Sequence, residues 1–367
     1  MNQRGTAING NALRYYKSAQ ALFLPVKPID ELDGFELRLH KNRYFFCNAE
    51  PPINYSTSTR ICKHKYIANR LLEEAEIPVP KAVLIEKEEL ENDAFIDQTD
   101  QLNFPLVIKP LNEQKGKGVL CNIQNLDELR TALTQAFSTY EHIIVEEFHA
   151  NLLSYRVLVF NQKVIGVVLR HPSFVIGDGK HNINDLIKLT NKERKRINEF
   201  LGPISLDAEA HICLKEQGIT EAYIPRGGER IVLGYTSNAT RGGTYENISK
   251  NICKENRKLM IRVANTLSLK LVGIDVQCED INKPIKYPDG VIIEANEIPS
   301  IRIHELPMYG PANLVTRKIM RHFIYRHPFA YLCSLYFNKR TAFYIKAFIV
   351  AVISAVLYLL LTTKGII

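Results

Sequence analysis

The residues best suited to chemistry sit in two short acidic segments. One reads Gly273-Ile274-Asp275-Val276, and Glu294 follows Asp275 by nineteen residues, inside Ile292-Ile293-Glu294-Ala295-Asn296. Both segments have the β-branched character of strands, with an acid where an apolar side chain is expected. Glu294 and Asn296 are two apart, so in a strand both project to one face. A carboxylate and a carboxamide in an otherwise apolar strand need partners. Hard cations such as Mg²⁺ take oxygen ligands of this kind, with phosphate oxygens completing the shell. Asp275, Glu294 and Asn296 are therefore candidate metal ligands.

Phosphate chemistry has its own candidates. Lys109 ends the apolar run Leu106-Val107-Ile108 and is held by Pro110, a rigid placement for a point charge. The loop after it carries Gly116 and Gly118 among basic residues. Glycines let backbone N–H groups approach an anion. The spacing matches neither a Walker loop nor a dinucleotide fingerprint. Val145-Glu146-Glu147-Phe148 reads as a strand running into a hinge, which offers a nucleoside backbone groups and a carboxylate, or else as a pair of surface glutamates. Asn238 to Thr244 is a basic, glycine-rich loop, expected to be flexible and to suit a lid.

These residues need a scaffold. Residues 1–60 are expected to form a small irregular leader holding a hairpin, Phe35–Leu39 with Tyr44–Cys47, and a loop over Glu50–Ser58. Apolar spacing predicts a helix over Lys65–Glu76, ended by Pro78 and Pro80. Strands at Ala82–Ile85, Pro105–Pro110, Val119–Asn122 and His142–Glu146, with a helix over Leu126–Phe137, suggest a βαβ-like lobe, residues 61–149. A second lobe, residues 150–325, opens with a hairpin of Tyr155–Phe160 and Lys163–Leu169 turning at Asn161-Gln162. An insertion near 172–228 contains a helix capped by Asn182, a solvated stretch Lys188–Asn198 and a helix over Leu206–Gly218. Tyr223–Pro225 is expected to pair with Arg230–Tyr235. A long helix over Ile252–Leu267 precedes the acidic strands.

The charge is uneven. The net charge is +8, yet no Asp or Glu follows Glu305, while eight basic residues do. Without them 39 basic and 39 acidic residues remain, so the basic balance speaks against nucleic-acid binding by the body. Residues 326–367 read as a basic, aromatic juxtamembrane segment and an anchor. Ala347 to Thr363 has no charged residue, which is near the length of a span, and Phe343–Ile345 extend it if Lys346 snorkels. A core helix packed on the body is the alternative. The basic side precedes the span, which places the body in the cytoplasm. No signal peptide is expected, since the longest early apolar run is Ala21–Leu24. Seven scattered cysteines without a C-x-x-C pair read as reduced thiols, not a zinc site.

Taken in order, Lys65, Lys109, the glycine loop, Glu146-Glu147-Phe148, the Asn238–Gly243 loop, Gly273-Ile274-Asp275 and Glu294-Ala295-Asn296 resemble the ATP-grasp carboxylate–amine ligases. Leu71 to Ala75 with Pro78-Val79-Pro80, Tyr155-Arg156, Pro172 to Gly179, and Asn296 through Pro299 to Arg302 and His304 are similar to the ATP-grasp domain of cyanophycin synthetases and bifunctional glutathione synthetases. The resemblance covers about residues 60–307, and no Mur-ligase-like or glutamate–cysteine ligase pattern flanks it. It implies an α+β ATP-grasp fold of two lobes clasping ATP, with a C-terminal transmembrane helix added here. It also implies joining of a carboxylate to an amine through an acyl phosphate. Asp275, Glu294 and Asn296 would hold two Mg²⁺ ions, with Mn²⁺ as an alternative. Lys65 and Lys109 would hold phosphates, aided by Gly116 and Gly118, and Glu146, Glu147 and Phe148 would meet adenine and ribose. Arg156, Arg241 and Arg302 would serve the transferring phosphoryl group or a substrate carboxylate, where a guanidinium fork is useful. His304 is either a substrate contact or a surface histidine. Ser154 stands about where related ligases place a ribose-binding acid, and Tyr245 to Ser249 replaces an Asp-rich stretch. The implied substrates are small amino acids or peptides, with a homo-oligomer left open. The other readings are a nucleotide-binding scaffold without turnover and a protein-modifying ligase.

Overall fold

The computed structural model describes residues 8, 10–48, 50–113, 117–149, 152–197, 201–235, 237–248 and 251–363. It divides into two units, residues 1–52 with 314–367, and residues 53–313.

The first unit opens with a helix, α1 (Gly10–Ala21), and three antiparallel strands, β1 (Val26–Ile29), β2 (Gly34–Leu39) and β3 (Asn42–Cys47). The hairpin matches the expected one, but the leader is not irregular. Ala12, Tyr15 and Ala19 recur at helical spacing and are buried, and Phe35 stacks on Phe46 with ring centroids 4.5 Å apart.

In the second unit, α2 (Ser56–Lys63) occupies part of what the sequence suggested as loop. It breaks at His64, whose ring accepts the Ile67 N–H and so starts α3 (Lys65–Glu74). That break puts Lys65 at the first residue of a helix. The first lobe then contains β4 (Ala82–Glu86), α4 (Lys87–Glu91), α5 (Ala94–Thr99), β5 (Leu106–Pro110), β6 (Leu120–Ile123), α6 (Leu126–Phe137) and β7 (His142–Glu147). Strand order is β4-β7-β5-β6, and every neighbouring pair is antiparallel. The βαβ expectation is thereby corrected to a split form. Strands β6 and β7 run parallel through α6 with β5 between them. Alternation decides the faces: Ile108, Ile143 and Val145 enter the lobe core, while Lys109, Ile144 and Glu146 line the opposite side.

The second lobe contains β8 (Leu153–Phe160), β9 (Lys163–His171), β10 (Phe174–Ile176), α7 (Ile183–Ile197), α8 (Ala208–Glu216), β11 (Arg230–Val232), β12 (Thr244–Asn247), α9 (Lys254–Thr266), β13 (Leu271–Cys278), β14 (Gly290–Asn296) and the short α10 (Arg302–Glu305). Five strands form an antiparallel sheet in the order β12-β9-β8-β13-β14. Its one face buries Val157, Val167, Ile274 and Ile292 with Leu72 of α3 and Met260 of α9. Two expectations fail in the insertion. Strand β11 pairs with β10, not with Tyr223–Pro225, because Arg226 and Glu229 close a turn that leaves Pro225 bonded to Gly179. Helix α7 is not simply solvated. Arg194 is 2% exposed and donates to the carbonyls of Gly202 at 2.9 Å and Gly243 at 3.1 Å.

Three helices return to the first unit: α11 (Val315–Arg326), α12 (Pro328–Phe337) and α13 (Ala342–Thr363). Phe323 of α11 packs edge-on against Tyr44 at 4.9 Å, and Thr316 bonds Ser18 at 2.6 Å. Helix α13 has 22 residues, a mean hydropathy of 2.4 in its apolar window and none of that window buried. Among the described residues it is the one helix long and apolar enough to cross a membrane.

Candidate active site

Two sheets present charge to one cavity. Lys65 from the start of α3, Lys109 from β5, Glu146 from β7 and Glu294 from β14 line it, with Tyr66, Asn69, Val79 and Ile144 between them. Lys109 Nζ lies 2.6 Å from Glu146 Oε2, both largely buried. Lys65 Nζ donates to the Glu113 carbonyl at 2.7 Å and stands 3.9 Å from Glu294 Oε1. The two lysines therefore face the same space, Lys109 from the four-stranded sheet and Lys65 from a helix packed on the five-stranded one.

The hinge strand separates its two acids. Consecutive residues point to opposite faces, so Glu146 enters the cavity and Glu147 turns away. Glu147 accepts the Asn103 backbone N–H at 3.0 Å, the Asn103 carboxamide at 2.8 Å and a short bond from the Tyr287 hydroxyl. Burial pushes its carboxyl up, but these donors and the charge of Lys81 outweigh that and hold it below the usual range. Glu147 thus ties the hinge to the β13–β14 connection. Phe148 meets Tyr235 edge-on, with centroids 6.1 Å apart.

On the five-stranded sheet, register sets the arrangement. Arg156 on β8 is paired with Asp275 on β13, and Asp275 with Glu294 on β14, so the three side chains form one row on the cleft face. Asn296 lies opposite Gly273 on the same face. Asp275 is held tightly. Arg156 gives it a short Nε bond and a second from Nη2 at 2.9 Å, Arg170 adds Nη1 at 3.2 Å, and Asn296 Nδ2 lies at 3.5 Å. Burial raises the Asp275 carboxyl, yet the two guanidiniums beside it win and hold it below the usual carboxylate range. Arg170 itself is steadied by Ser154 Oγ, at 2.8 and 3.2 Å.

The remaining expected residues are more scattered. Arg241 ends a 3₁₀ turn capped by Asn238, whose Oδ1 accepts from Thr240, and is paired at 2.7 Å with both Asp207 and Glu209. Within the Asn238–Gly243 loop, Gly243 N–H bonds the Asn238 carbonyl, and a Cβ on Gly202 would lie 2.3 Å from the Thr240 carbonyl oxygen. Arg302 begins α10 and is half-buried. His304 is interior, 0% exposed, so the surface reading does not describe it. It packs so closely on Gly166 that a Cβ there would come within 2.7 Å of its Nδ1. Gly118 has a left-handed φ of 71° and a packing reason to be glycine, since a Cβ would meet Pro110 at 2.7 Å. Gly116 lies outside the described residues.

Asp275, Glu294 and Asn296 offer oxygen ligands on adjacent strands, the chemistry that Mg²⁺ takes. Among the described residues no cluster of three or more His, Cys, Asp or Glu is grouped for a metal, so the carboxamide of Asn296 has to serve as a ligand and phosphate or water has to complete the shell. Glu294, 35% exposed at its side chain and with Lys65, its nearest cation among the described residues, at 3.9 Å, is open to a cation. The lysine pair suits a polyphosphate. Arg170 was missed from the sequence, and its only signal is that it lies on the strand after Arg156.

Comparison with known proteins adds to this geometry. Residues 62–201 match the RimK-like ATP-grasp domain. The chain is 36% identical over 256 residues to a cyanophycin synthetase of Crocosphaera subtropica, covering 68% of this chain and 29% of that protein. It is 28% identical over 266 residues to a glutathione biosynthesis bifunctional protein of Clostridium perfringens, covering 71% and 34%. The crystal structure of a bifunctional glutathione synthetase from Pasteurella multocida superposes with a TM-score of 0.62 at 22% identity, over 84% of this chain and 44% of that one. The chain thus spans under a third of the length of the cyanophycin synthetases it matches.

Proposed function

We propose, for a chain whose residues 62–201 match the RimK-like ATP-grasp domain, an ATP- and Mg²⁺-dependent ligase that joins a carboxylate to an amine. ATP supplies the phosphoryl group that activates the carboxylate as an acyl phosphate, and Mg²⁺ neutralises charge on the phosphates. Lys65 and Lys109 bind phosphate oxygens from α3 and β5. Glu146 holds Lys109 in place, and Glu147 fixes the hinge strand on which nucleotide contacts depend. Glu294 and Asn296 ligate Mg²⁺, two ions with Asp275 completing the set. Arg156 steadies Asp275 and, with Arg241 and Arg302, offers guanidinium to an anionic substrate group. The observation carrying this reading is the shared cavity of Lys65, Lys109, Glu146 and Glu294. The relatives' names favour amino acids or peptides as substrates.

The test is Mg²⁺-dependent ADP release screened over pairs of amino acids and short peptides. Release that needs both an acid and an amine, and falls at least on the order of 100-fold in Glu294→Gln, is expected. Nucleotide binding with no turnover for any pair would favour a scaffold instead.

The membrane reading rests on α13. Its 22 residues, mostly apolar, lie unburied, and Lys339, Arg340 and Lys346 stand near its start. It anchors the chain, with the body on the cytoplasmic side. Cutting after residue 340 should release the protein from membranes on alkaline carbonate washing. A full-length chain that washes off equally well would refute the anchor.

A further inference from the structure

We propose that Arg170 is an exchangeable guard on Asp275, holding the carboxylate when no cation is bound, yielding to a divalent cation, and then turning its guanidinium to an anionic oxygen of the substrate. This deepens the metal-site reading above and rests on it.

The argument starts from how many bonds a carboxylate can accept, which is about four. Asp275 Oδ1 takes the Arg156 Nε–H. Oδ2 takes Arg156 Nη2 at 2.9 Å and Arg170 Nη1 at 3.2 Å, with Asn296 Nδ2 at 3.5 Å. Asp275 Oδ2 is thus crowded by three donors in the arrangement described, and a metal that takes this oxygen needs one of them to leave. The two arginines do not hold equally. Arg156 is 11% exposed at its side chain and grips both carboxylate oxygens. Arg170 is 16% exposed, makes one longer contact with Asp275, and keeps its Nε and Nη2 on Ser154. Arg170 can therefore release Asp275 without losing its other two bonds. A buried guanidinium that loses its carboxylate needs another anion, and the cleft face beside Glu294 is where a substrate carboxylate or phosphoryl oxygen would lie. Cation binding and anion binding are coupled through one side chain.

The experiment measures Mn²⁺ binding to the nucleotide-free full-length chain by electron paramagnetic resonance, alone and with inorganic phosphate or acetate. Arg170→Gln should bind Mn²⁺ about tenfold tighter, the scale of one charge-assisted hydrogen bond, with Arg170→Lys between it and the native chain. A merely structural arginine would weaken the site when removed, and a fixed positive charge would tighten it on removal without coupling it to an anion, so tightening together with the lost anion gain is diagnostic. Mn²⁺ should strengthen phosphate or acetate binding in the native chain, and Arg170→Gln should lose that gain. The anion that shows the loss identifies the phosphoryl or carboxylate role. Unchanged or weaker Mn²⁺ binding in Arg170→Gln overturns the guard while leaving the metal site standing. If the native chain and both variants bind no Mn²⁺, the metal-site reading itself falls and the guard falls with it. Arg170→Lys carries the measurement should the glutamine variant fail to fold.

Discussion

The two sheets that face the cleft handle charge differently. On the four-stranded sheet one cation meets one acid: Lys109 and Glu146 are 2.6 Å apart, and a polyphosphate has only to draw the lysine across. On the five-stranded sheet two guanidiniums converge on Asp275, while among the described residues Glu294 in the same row has no cation closer than 3.9 Å. Equal formal chemistry therefore yields one acid that is structural until displaced and one that is open to a ligand. Residue type did not separate them. The strands that flank each acid did, because β13 lies between two neighbours and β14 is at the sheet edge.

That contrast can be broken by mutation. Asp275→Asn leaves Arg156 buried without its counter-charge and should cost about 3–5 kcal/mol in urea unfolding. Glu294→Gln should stay within about 0.5 kcal/mol, as for a partly exposed side chain outside the core. Equal losses in the two variants would erase the distinction.

Lys109→Ala tests the other sheet. It should weaken binding of a non-hydrolysable ATP analogue by about 1.5–3 kcal/mol, the range for hydrogen bonds to charged groups. Calorimetric titration that gives an unchanged dissociation constant would remove Lys109 from the phosphate site.

The smallest effect is on acid stability. The folded-state value of Asp275 lies below its unfolded one, so the unfolded chain binds a proton first as pH falls. Its stabilising contribution is complete above about pH 4, the unfolded value, and is lost as pH drops through the lower folded value. The urea midpoint of the native chain should therefore fall more steeply below about pH 4 than that of Asp275→Asn. Parallel curves would mean that Asp275 does not carry the linkage.

Much of this was legible without coordinates. Proline and lysine at the end of an apolar run located β5 and Lys109, and the two-residue spacing of Glu294 and Asn296 placed both on one face. Local alternation is enough for such inferences, since a strand's faces follow from its own sequence. The hinge acids were less clear, because Glu146 and Glu147 differ only in which side of β7 they occupy. Helix α1 was hidden because its buried positions are tyrosine and alanine among polar residues.

Register, by contrast, was decided only in three dimensions. The hairpin of β8 and β9 begins with Phe160 opposite Lys163 and Val159 opposite Val164. Continued evenly, that pairing would put Leu169 opposite Ser154 and send Arg170 toward the core. A bulge between Leu158 and Val159 on β8, set against Gly166 and Val164 on β9, shifts the register by one, so Ser154 meets Arg170. A one-residue shift turns every later side chain to the other face, and so delivers Arg170 to Asp275. The extra residue, Ile165, has its carbonyl bonded by Asn313 at 2.9 Å, almost 150 positions away in the chain. A second shift, between Asp275 and Val276, does the same for β14, pairing Asp275 with Glu294 but Val276 with Ile292. The sequence by itself determined which residues carry charge and which strands they end. The bulges decided which of them meet, because they are stabilised by partners far along the chain that no local pattern reveals.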